Sequence, residues 1–316
     1  MNIKESYNLN PKRIIKVNDG YLLQLSKVKL VLSHVSYKEW EIQCASEIIN
    51  RLVSKGFTNI IIIRRNREGK PFINESNTLY ILTDNAEELR FKLNSRENGT
   101  AMAEVLAHFH NAAEGFTPPP GVKMKVRWGK KMEKCRNLTM RIEKFVDYIS
   151  DKKNLSEFEA YAKPYAQELL RRAKASMKIL KSMDYIKGLE SSMKRKEVCI
   201  NAISNNTAKL SGGRLTITKV FDIAYNMVEE DVAALIKKLI EETGDKGVYD
   251  YVLSTYCRIR NVDENSRRII RALVSFPFDS IKTISKYMDH MDRGEELLNK
   301  FKKYMKNEYK TDILEV

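Results

Sequence analysis

The hydrophobic periodicity of the chain changes near residue 84, and this change restricts the possible folds more than any other feature of the sequence. Before it, short β-prone runs surround a single helical pattern. After it, most apolar residues recur with the 3.6-residue period of an α-helix. The sequence therefore predicts an α+β protein with a small N-terminal lobe, residues 1–84, built on an antiparallel sheet. A larger and mostly helical C-terminal lobe, residues 85–316, should follow it.

The N-terminal part has the predicted order of three strands, one helix and two strands. The strands are residues 13–17, 21–25, 28–33, 59–64 and 78–82, and the helix is residues 39–55. Asn18-Asp19-Gly20 predicts a hairpin turn between the first two strands. Gly56 follows the last periodic residue of the helix and marks its end.

The C-terminal part contains three clear helical patterns, at residues 100–113, at residues 158–169 and at residues 231–242. Residues 118–121 form a Pro-rich loop, and Pro164 predicts a kink or a new helix start. Two β-prone runs, residues 198–203 and 214–220, interrupt the helices. The loop between these runs contains Gly212-Gly213, so they suggest a small β insertion.

The chain is strongly basic, and its charge is unevenly distributed. It has 316 residues with 43% apolar content, enough for a sizeable core, and a formal charge of +15. Residues 121–196 alone hold 21 basic and 9 acidic side chains, a net +12. Such a segment indicates either a face that binds polyanions, including nucleic acid, or helix surfaces that simply keep solvated lysines. Tyr148, Tyr161 and Tyr165 could stack on bases, but their helical spacing favours core packing.

Metal, membrane and export signals are weak. No apolar run is longer than five residues, with four isoleucines at residues 60–63, and the first ten residues lack an apolar stretch, so neither a membrane span nor a secretory signal is expected. Cys44, Cys135, Cys199 and Cys257 form no C-x-x-C pair, and the chain has only four histidines. This pattern predicts reduced thiols in a cytosolic protein, and no metal site.

Several short segments resemble the CotS family of bacterial spore-coat proteins, which are similar to aminoglycoside and choline phosphotransferases. Residues 105–115, VLAHFHNAAEG, resemble the family pattern L-A-x-F-H-x-A-x-x-G, in which His108 would be a packing residue. Further matches, in order, are Asp19-Gly20, Gly56-Phe57, residues 127–130, residues 225–232 and residues 276–281. The resemblance covers nearly the whole chain and implies a two-lobed protein-kinase-like fold.

Phosphoryl transfer in that fold uses a strand lysine at the nucleotide phosphates, a loop aspartate as base, and an aspartate with an asparagine at Mg²⁺. In the register of the family, Ser33 stands at the lysine position, with Lys27 and Lys29 nearby. Ala202 stands at the base position and Lys219 at the metal aspartate. Three essential charged groups are thus predicted to be absent.

Some residues could still take part in nucleotide or metal binding. Asn205 or Asn206 could replace the metal asparagine, although a turn is the simpler interpretation, and Asp222 could be a displaced ligand. Glu39 or Glu41 could be the helix glutamate of the family. Asn206 and Asp222 are therefore weak cofactor-binding candidates, and no cofactor is predicted.

The resemblance implies a pseudokinase that serves as a structural component of the spore coat. It would be made in the mother-cell cytoplasm, assemble onto the spore and bind other coat proteins. The alternatives are an active small-molecule phosphotransferase with rearranged site residues and a basic protein that binds nucleic acid or another polyanion.

Overall fold

A computed structural model describes residues 3–17, 20–84, 88–211 and 213–314. The helices are α1 (Ile3–Tyr7), α2 (Glu39–Ser54), α3 (Arg96–Ala113), α4 (Lys130–Ser150), α5 (Glu157–Leu180), α6 (Met183–Arg195), α7 (Val228–Thr243), α8 (Val248–Ile259), α9 (Glu264–Ser275), α10 (Phe278–Asp289) and α11 (Gly294–Glu308). The strands are β1 (Arg13–Val17), β2 (Gly20–Gln24), β3 (Lys29–Val35), β4 (Ile63–Arg64), β5 (Ile73–Glu75), β6 (Thr78–Asp84), β7 (Glu88–Arg90), β8 (Val198–Cys199), β9 (Ala208–Ser211), β10 (Arg214–Ile217) and β11 (Ala224–Tyr225).

The main sheet is antiparallel and has the strand order β1-β2-β3-β6-β4, with β5 paired to β6. Leu30 and Leu32 alternate with less buried residues along β3 and pack with Leu23 and Leu82. This period of two is the pattern that predicts a strand with one buried face. The predicted first three strands and the helix α2 are confirmed, whereas Asn18 and Asp19 of the predicted turn lie outside the described residues.

The predicted strand at 59–64 is mostly wrong, because only Ile63 and Arg64 pair with the main sheet. The preceding backbone binds another segment instead. Ile217 donates its N–H to the carbonyl of Asn59 at 2.9 Å and accepts from Ile61 at 2.9 Å. Long-range partners therefore decided the conformation of this run.

The predicted β insertion exists, but its two runs do not pair with each other. Residues of β10 pair with β9 and belong to the sheet β10-β9-β7, whereas β8 pairs with β11. Along the chain β9 is nearer to β10 than β8 is, and β9 and β10 form a short hairpin. Gly212, in the predicted loop, lies outside the described residues.

Helix boundaries follow the breaking signals in most places. The helix α7 ends at Gly244, which adopts a left-handed conformation, and α10 begins directly after Pro277. Pro164 does not start a helix, because it lies inside the 24-residue α5. That helix begins at a capping box formed by Ser156 and Glu159, an N-terminal signal seven residues earlier.

The chain divides into two compact units made of non-consecutive segments. One consists of residues 1–92, 104–126 and 195–225, and the other of residues 93–103, 127–194 and 226–316. The first holds the three sheets. The second is helical, and in its core Phe158 stacks on Tyr287 with ring centroids 4.1 Å apart. The division into lobes at residue 84 stays a prediction.

Across the ranges that the structure describes, no helix is both long and apolar enough to cross a membrane. All four cysteines lie within those ranges, and none forms a disulfide. Cys44, Cys135 and Cys199 are buried. The free cysteines agree with the reduced thiols that the sequence predicts.

Candidate functional site

The loop that follows β8 is organised by two polar side chains. Asn201 has a left-handed backbone conformation, and its amide donates to the carbonyls of Cys199 at 2.9 Å and Asp222 at 3.3 Å. The hydroxyl of Thr207 accepts from the backbone N–H of Ser204 at 2.7 Å and donates to the carbonyl of Ala202. The loop is thus closed on itself, and the backbone carbonyl of Ala202 is one of the groups that Thr207 holds.

Ala202, the residue at the predicted base position, is partly exposed and offers a methyl group. Asn205 and Asn206 lie in the turn that the Thr207 N–H closes by donating to the Ser204 carbonyl at 3.1 Å. The hydroxyl of Ser204 also accepts from the N–H of Asn206 at 3.2 Å. Asn206 is exposed, so the turn interpretation of these asparagines agrees with the structure.

Lys219 and Asp222 lie in the connection between β10 and β11. The backbone N–H of Lys219 donates to the carbonyl of Thr207 at 3.3 Å, and its side chain is exposed. Asp222 is partly buried beside Tyr37, whose ring lies 4.2 Å from that of Phe221. Burial, together with the charges of Asp222 and Glu41, raises the pKa of Tyr37.

Ser33 lies in the middle of β3, where it pairs with Gly20 on one side and Ile81 on the other. Lys29 is the first residue of β3, and Lys27 precedes the strand. Lys29 is four residues from Ser33, a separation of about 13 Å at the usual rise of a strand. A short slip of register therefore does not bring either lysine to the position of Ser33.

The strongest polar contact of this region joins Lys125 to Glu41. The ammonium lies 2.6 Å from a Glu41 carboxylate oxygen and donates to the carbonyl of Phe221 at 2.9 Å. The side chains are only 23% and 15% exposed. The other Glu41 oxygen accepts from the backbone N–H of Lys38 at 2.9 Å, so Glu41 also caps α2.

Backbone contacts hold Lys125 in place. Its carbonyl accepts from the N–H of Tyr225 at 3.0 Å, and the hydroxyl of Tyr225 donates to the carbonyl of Phe116 at 2.7 Å. Burial acts to raise the pKa of Glu41, but the hydrogen bonds from Lys125 and Lys38 outweigh it, and the pKa is lowered. Glu41 is therefore ionised at neutral pH.

The space beside this pair is almost completely filled. A cavity of about 10 Å³ is lined by side chains from α2 and from the β10–β11 connection, together with Lys125. That volume is about enough for one water molecule. Trp40, whose ring centroid lies 6.0 Å from the Lys125 ammonium, closes one side.

The family model described as "Spore coat putative kinase YutH" matches residues 1–314. The chain belongs to this family. The resemblance to spore-coat proteins with a kinase-like fold, read from short motifs, is thus confirmed over essentially the whole described chain.

Solved phosphotransferase structures share the fold of this spore-coat kinase family member. An aminoglycoside phosphotransferase from Alicyclobacillus acidocaldarius has 16% identity and a TM-score of 0.81, with 97% of this chain and 91% of that chain covered. The AMP-bound spectinomycin phosphotransferase has 14% identity and a TM-score of 0.63, covering 99% and 97%. An amicoumacin kinase has 11% identity and a TM-score of 0.61, covering 99% and 93%. At these identities the comparison shows the fold, and the predicted kinase-like architecture is confirmed.

Lys125 is the site residue that sequence reasoning missed in this family member. It lies in the basic segment 121–196, where its charge was counted with the surface lysines. Glu41, by contrast, was one of two candidates for the helix glutamate, and the structure favours it over the exposed Glu39. The signal that indicates Lys125 is its partner Glu41, because a partly buried carboxylate on a helix requires a cation nearby.

The role of His108 was predicted incorrectly. His108 is exposed on α3, whereas His110, two residues further, is buried. Two residues along a helix turn the side chain through about 200°, so the two histidines face opposite directions. His110 is therefore the packing residue of the motif.

In the register taken from the sequence, the residues do not fit a Mg²⁺–nucleotide complex. Lys219 offers an ammonium where Mg²⁺ needs an oxygen ligand, Ser33 a neutral hydroxyl where the phosphates need a cation, and Ala202 a methyl group where the base should be. Asp222 and Asn206 are the two oxygen-bearing candidates that remain. These assignments stay predictions, as does the absence of a cofactor.

Proposed function

We propose that this chain is a structural component of the spore coat, built on a kinase-like fold that no longer transfers phosphate. The family places it among spore-coat proteins with kinase-like sequences. The observation that supports inactivity most is the loop after β8, where Ala202 offers a methyl group at the predicted base position. General-base catalysis is typically worth a factor of about 10²–10⁴ in rate, and alanine supplies none of it.

The Lys125–Glu41 pair supports the same proposal. In active relatives of this fold the helix glutamate pairs with a strand lysine that also holds the nucleotide phosphates. Here the lysine is Lys125, which comes from the segment before α4. Its ammonium also donates a hydrogen bond to the carbonyl of Phe221. The helix α2 is therefore held without a nucleotide, as a scaffold protein requires.

An active phosphotransferase is the alternative, and two observations favour it. The fold is shared with an aminoglycoside phosphotransferase and an amicoumacin kinase. A lysine and a glutamate are still paired beside Asp222, so Lys125 could be a relocated phosphate-binding lysine and Asp222 a displaced metal ligand. This alternative requires that a different group take the role of the base.

Nucleotide titration separates the two functions. We expect Mg²⁺–ATP to raise the melting temperature of the full chain by less than about 1 °C, with no phosphate transfer to water or to a panel of aminoglycosides and amino alcohols. Asp222→Asn is the test variant, and Asp147→Asn, an exposed aspartate of α4, is the matched control. A Mg²⁺-dependent stabilisation that Asp222→Asn abolishes and Asp147→Asn preserves would show that the site binds nucleotide.

The coat assignment is tested by imaging a fluorescent fusion in a sporulating cell. We propose that the protein is made in the mother-cell cytoplasm and then assembles on the forespore surface with other coat proteins. The expected result is a ring or cap on the forespore. Diffuse mother-cell fluorescence until lysis would contradict the coat role, whatever the nucleotide titration shows.

A further inference from the structure

The contact between α4 and α10 ends in a cluster of lysines around one aromatic ring. The ammonium of Lys131 lies 4.1 Å from the centroid of the Phe278 ring, and that of Lys134 lies 4.5 Å from it. Lys282, one turn after Phe278 on α10, is close enough to influence the charge of Lys134. These three lysines and Phe278 are called the lysine cluster below.

The lysine cluster lacks a direct counter-ion. Among the residues that the structure describes, no carboxylate lies within 4.0 Å of the ammonium groups of Lys131, Lys134 or Lys282. The other end of the same helix contact differs, because there Arg141 pairs with Asp289 and donates to the carbonyl of Ser285 at 2.9 Å. A direct ion pair therefore forms at that end of the contact, whereas the described residues form none with the lysines of the cluster.

Like charges in the cluster oppose one another. Partial burial, together with Lys282 and Lys131, lowers the pKa of Lys134, and Asp279 only partly offsets this. Glu230 faces Lys131, but burial raises the pKa of Glu230 to about 7, so this carboxyl carries a full negative charge only above neutral pH. Repulsion between the like charges of these lysines is unfavourable, and a bound anion would offset it.

We propose that the lysine cluster binds a carboxylate-rich segment of a protein partner. The ammonium groups of Lys131 and Lys134 converge on the ring of Phe278, with Lys282 one turn further along α10, and each ammonium can donate to a different carboxylate. That the partner is a coat polypeptide rests on the proposed function, whereas the binding of an acidic segment rests on the cluster alone.

A single-stranded nucleic acid fits the cluster less well. Such ligands bind by stacking successive bases on aromatic rings along a basic groove. Phe278 is already in contact with two lysines, and it is half-buried. An exposed acid also borders the cluster, since Glu133 lies next to Lys134 in sequence and pairs with Lys130 at 3.4 Å. A long phosphate chain would extend past the cluster and meet this carboxylate, whereas a segment of a few residues need not reach it.

The test compares two variants with equal charge change. Lys131→Gln/Lys134→Gln removes two cations of the cluster, and Lys163→Gln/Lys178→Gln removes two exposed cations of α5 within the same basic segment. Binding of fluorescein-labelled hexaglutamate to the full-length chain is measured by anisotropy at 50 and 150 mM salt. A labelled 12-nucleotide single strand is measured in parallel.

We expect the cluster variant to weaken hexaglutamate binding roughly five- to tenfold at 50 mM salt, and the control variant by less than about twofold. Lys282→Gln alone should also weaken it. Equal losses in both double variants would assign the binding to the net charge and overturn the proposal, as would no loss in either. Tighter binding of the oligonucleotide, lost only in the cluster variant, would overturn the choice of ligand.

Folding of the variants is checked separately. Because the substitutions relieve repulsion at partly exposed positions, the cluster variant should match or exceed the wild type in urea unfolding. If it does not fold, Lys134→Gln, at an exposed position of α4, takes its place. Failure of this binding test leaves the imaging experiment on the coat role unaffected, so the two proposals fail independently.

Discussion

The ammonium of Lys125 lies 2.6 Å from a carboxylate oxygen of Glu41, although 84 residues of chain separate the two side chains. The contact joins the second helix to the segment that follows the Pro-rich loop. It supplies Glu41 with a lysine from outside the third strand, where Ser33 stands at the predicted lysine position.

Removing either member of this pair should destabilise the protein. Lys125→Met leaves a carboxylate only 15% exposed without its cation, and Glu41→Gln removes the negative charge that pairs with the ammonium. We expect each single variant to lower the free energy of unfolding by about 1–3 kcal/mol in urea titrations. The double variant should lose less than the sum of the two, which a double-mutant cycle measures. Additive losses would mean that the pair contributes no coupling.

Acidification should remove the contribution of the Glu41–Lys125 pair to stability. Because the pKa of Glu41 is lower in the folded state, its contribution is present above the ordinary glutamate pKa and is lost as the pH falls through the folded value. Lys125→Met should shift the onset of acid unfolding to higher pH. Circular dichroism from pH 6 to pH 2 checks this, with Lys163→Met as a control that should not shift it.

Adjacent arginines on α5 should differ sharply in their contribution to stability. Arg172 is 3% exposed and donates to the carbonyls of Glu308 at 2.9 Å and Ser275 at 2.8 Å. Arg171 is 45% exposed and pairs with Glu168. Arg172→Met should cost about 3–5 kcal/mol, because it leaves Glu308 buried without its cation. Arg171→Met should cost less than about 1 kcal/mol. Similar costs in urea unfolding would contradict the assigned burial.

Gly20 is the first residue of β2, and its requirement for glycine is steric. A Cβ at this position would lie 1.9 Å from the carbonyl oxygen of Leu32 on the neighbouring strand. Gly20→Ala should therefore cost about 1–3 kcal/mol or more by forcing β2 and β3 apart. Gly188→Ala in α6 meets only ordinary contacts at 3.5 Å and should stabilise by about 0.5–1 kcal/mol. Equal melting temperatures for the two variants would disprove the steric explanation.

Glu230 should make the protein less stable as the pH rises towards neutral. Part of this residue is accessible, but its carboxyl group is enclosed, and burial raises the pKa to about 7. The folded state therefore retains a proton that the unfolded state loses near pH 4.5, so stability falls between about pH 4.5 and 7. Glu230→Gln keeps the contact with Asn226 and should remove this slope in melting temperatures. An unchanged slope would exclude Glu230 as its source.

Much of the fold was predictable because the elements are local. The alternation along β3, the apolar face of α2 and the stop signals at Gly244 and Pro277 each act within a few residues. The errors occurred where distant chain decided the outcome. Residues 59–61 have β propensity, but their backbone hydrogen bonds go to Ile217, and the two runs of the β insertion pair with β11 and β9 rather than with each other.

The residues of the candidate site also divide into those that the sequence could identify and those that only tertiary contacts identify. Ser33, Ala202 and Lys219 were read from position in a motif, which requires no knowledge of contacts. Lys125 was not found, because nothing in its neighbours along the chain marks one lysine of a basic segment as buried and paired. The same limit applies to the lysine cluster, which combines α4 with α10.

The sequence alone thus determined the class of fold, the family resemblance and the residue types at the kinase-like positions, because periodicity and motif order are properties of neighbouring residues. The tertiary structure decided which charges meet. Lys125 came to Glu41 and Lys131 to Phe278 through packing of elements far apart in the chain, and the energy of a charge depends on the partners and burial that packing provides.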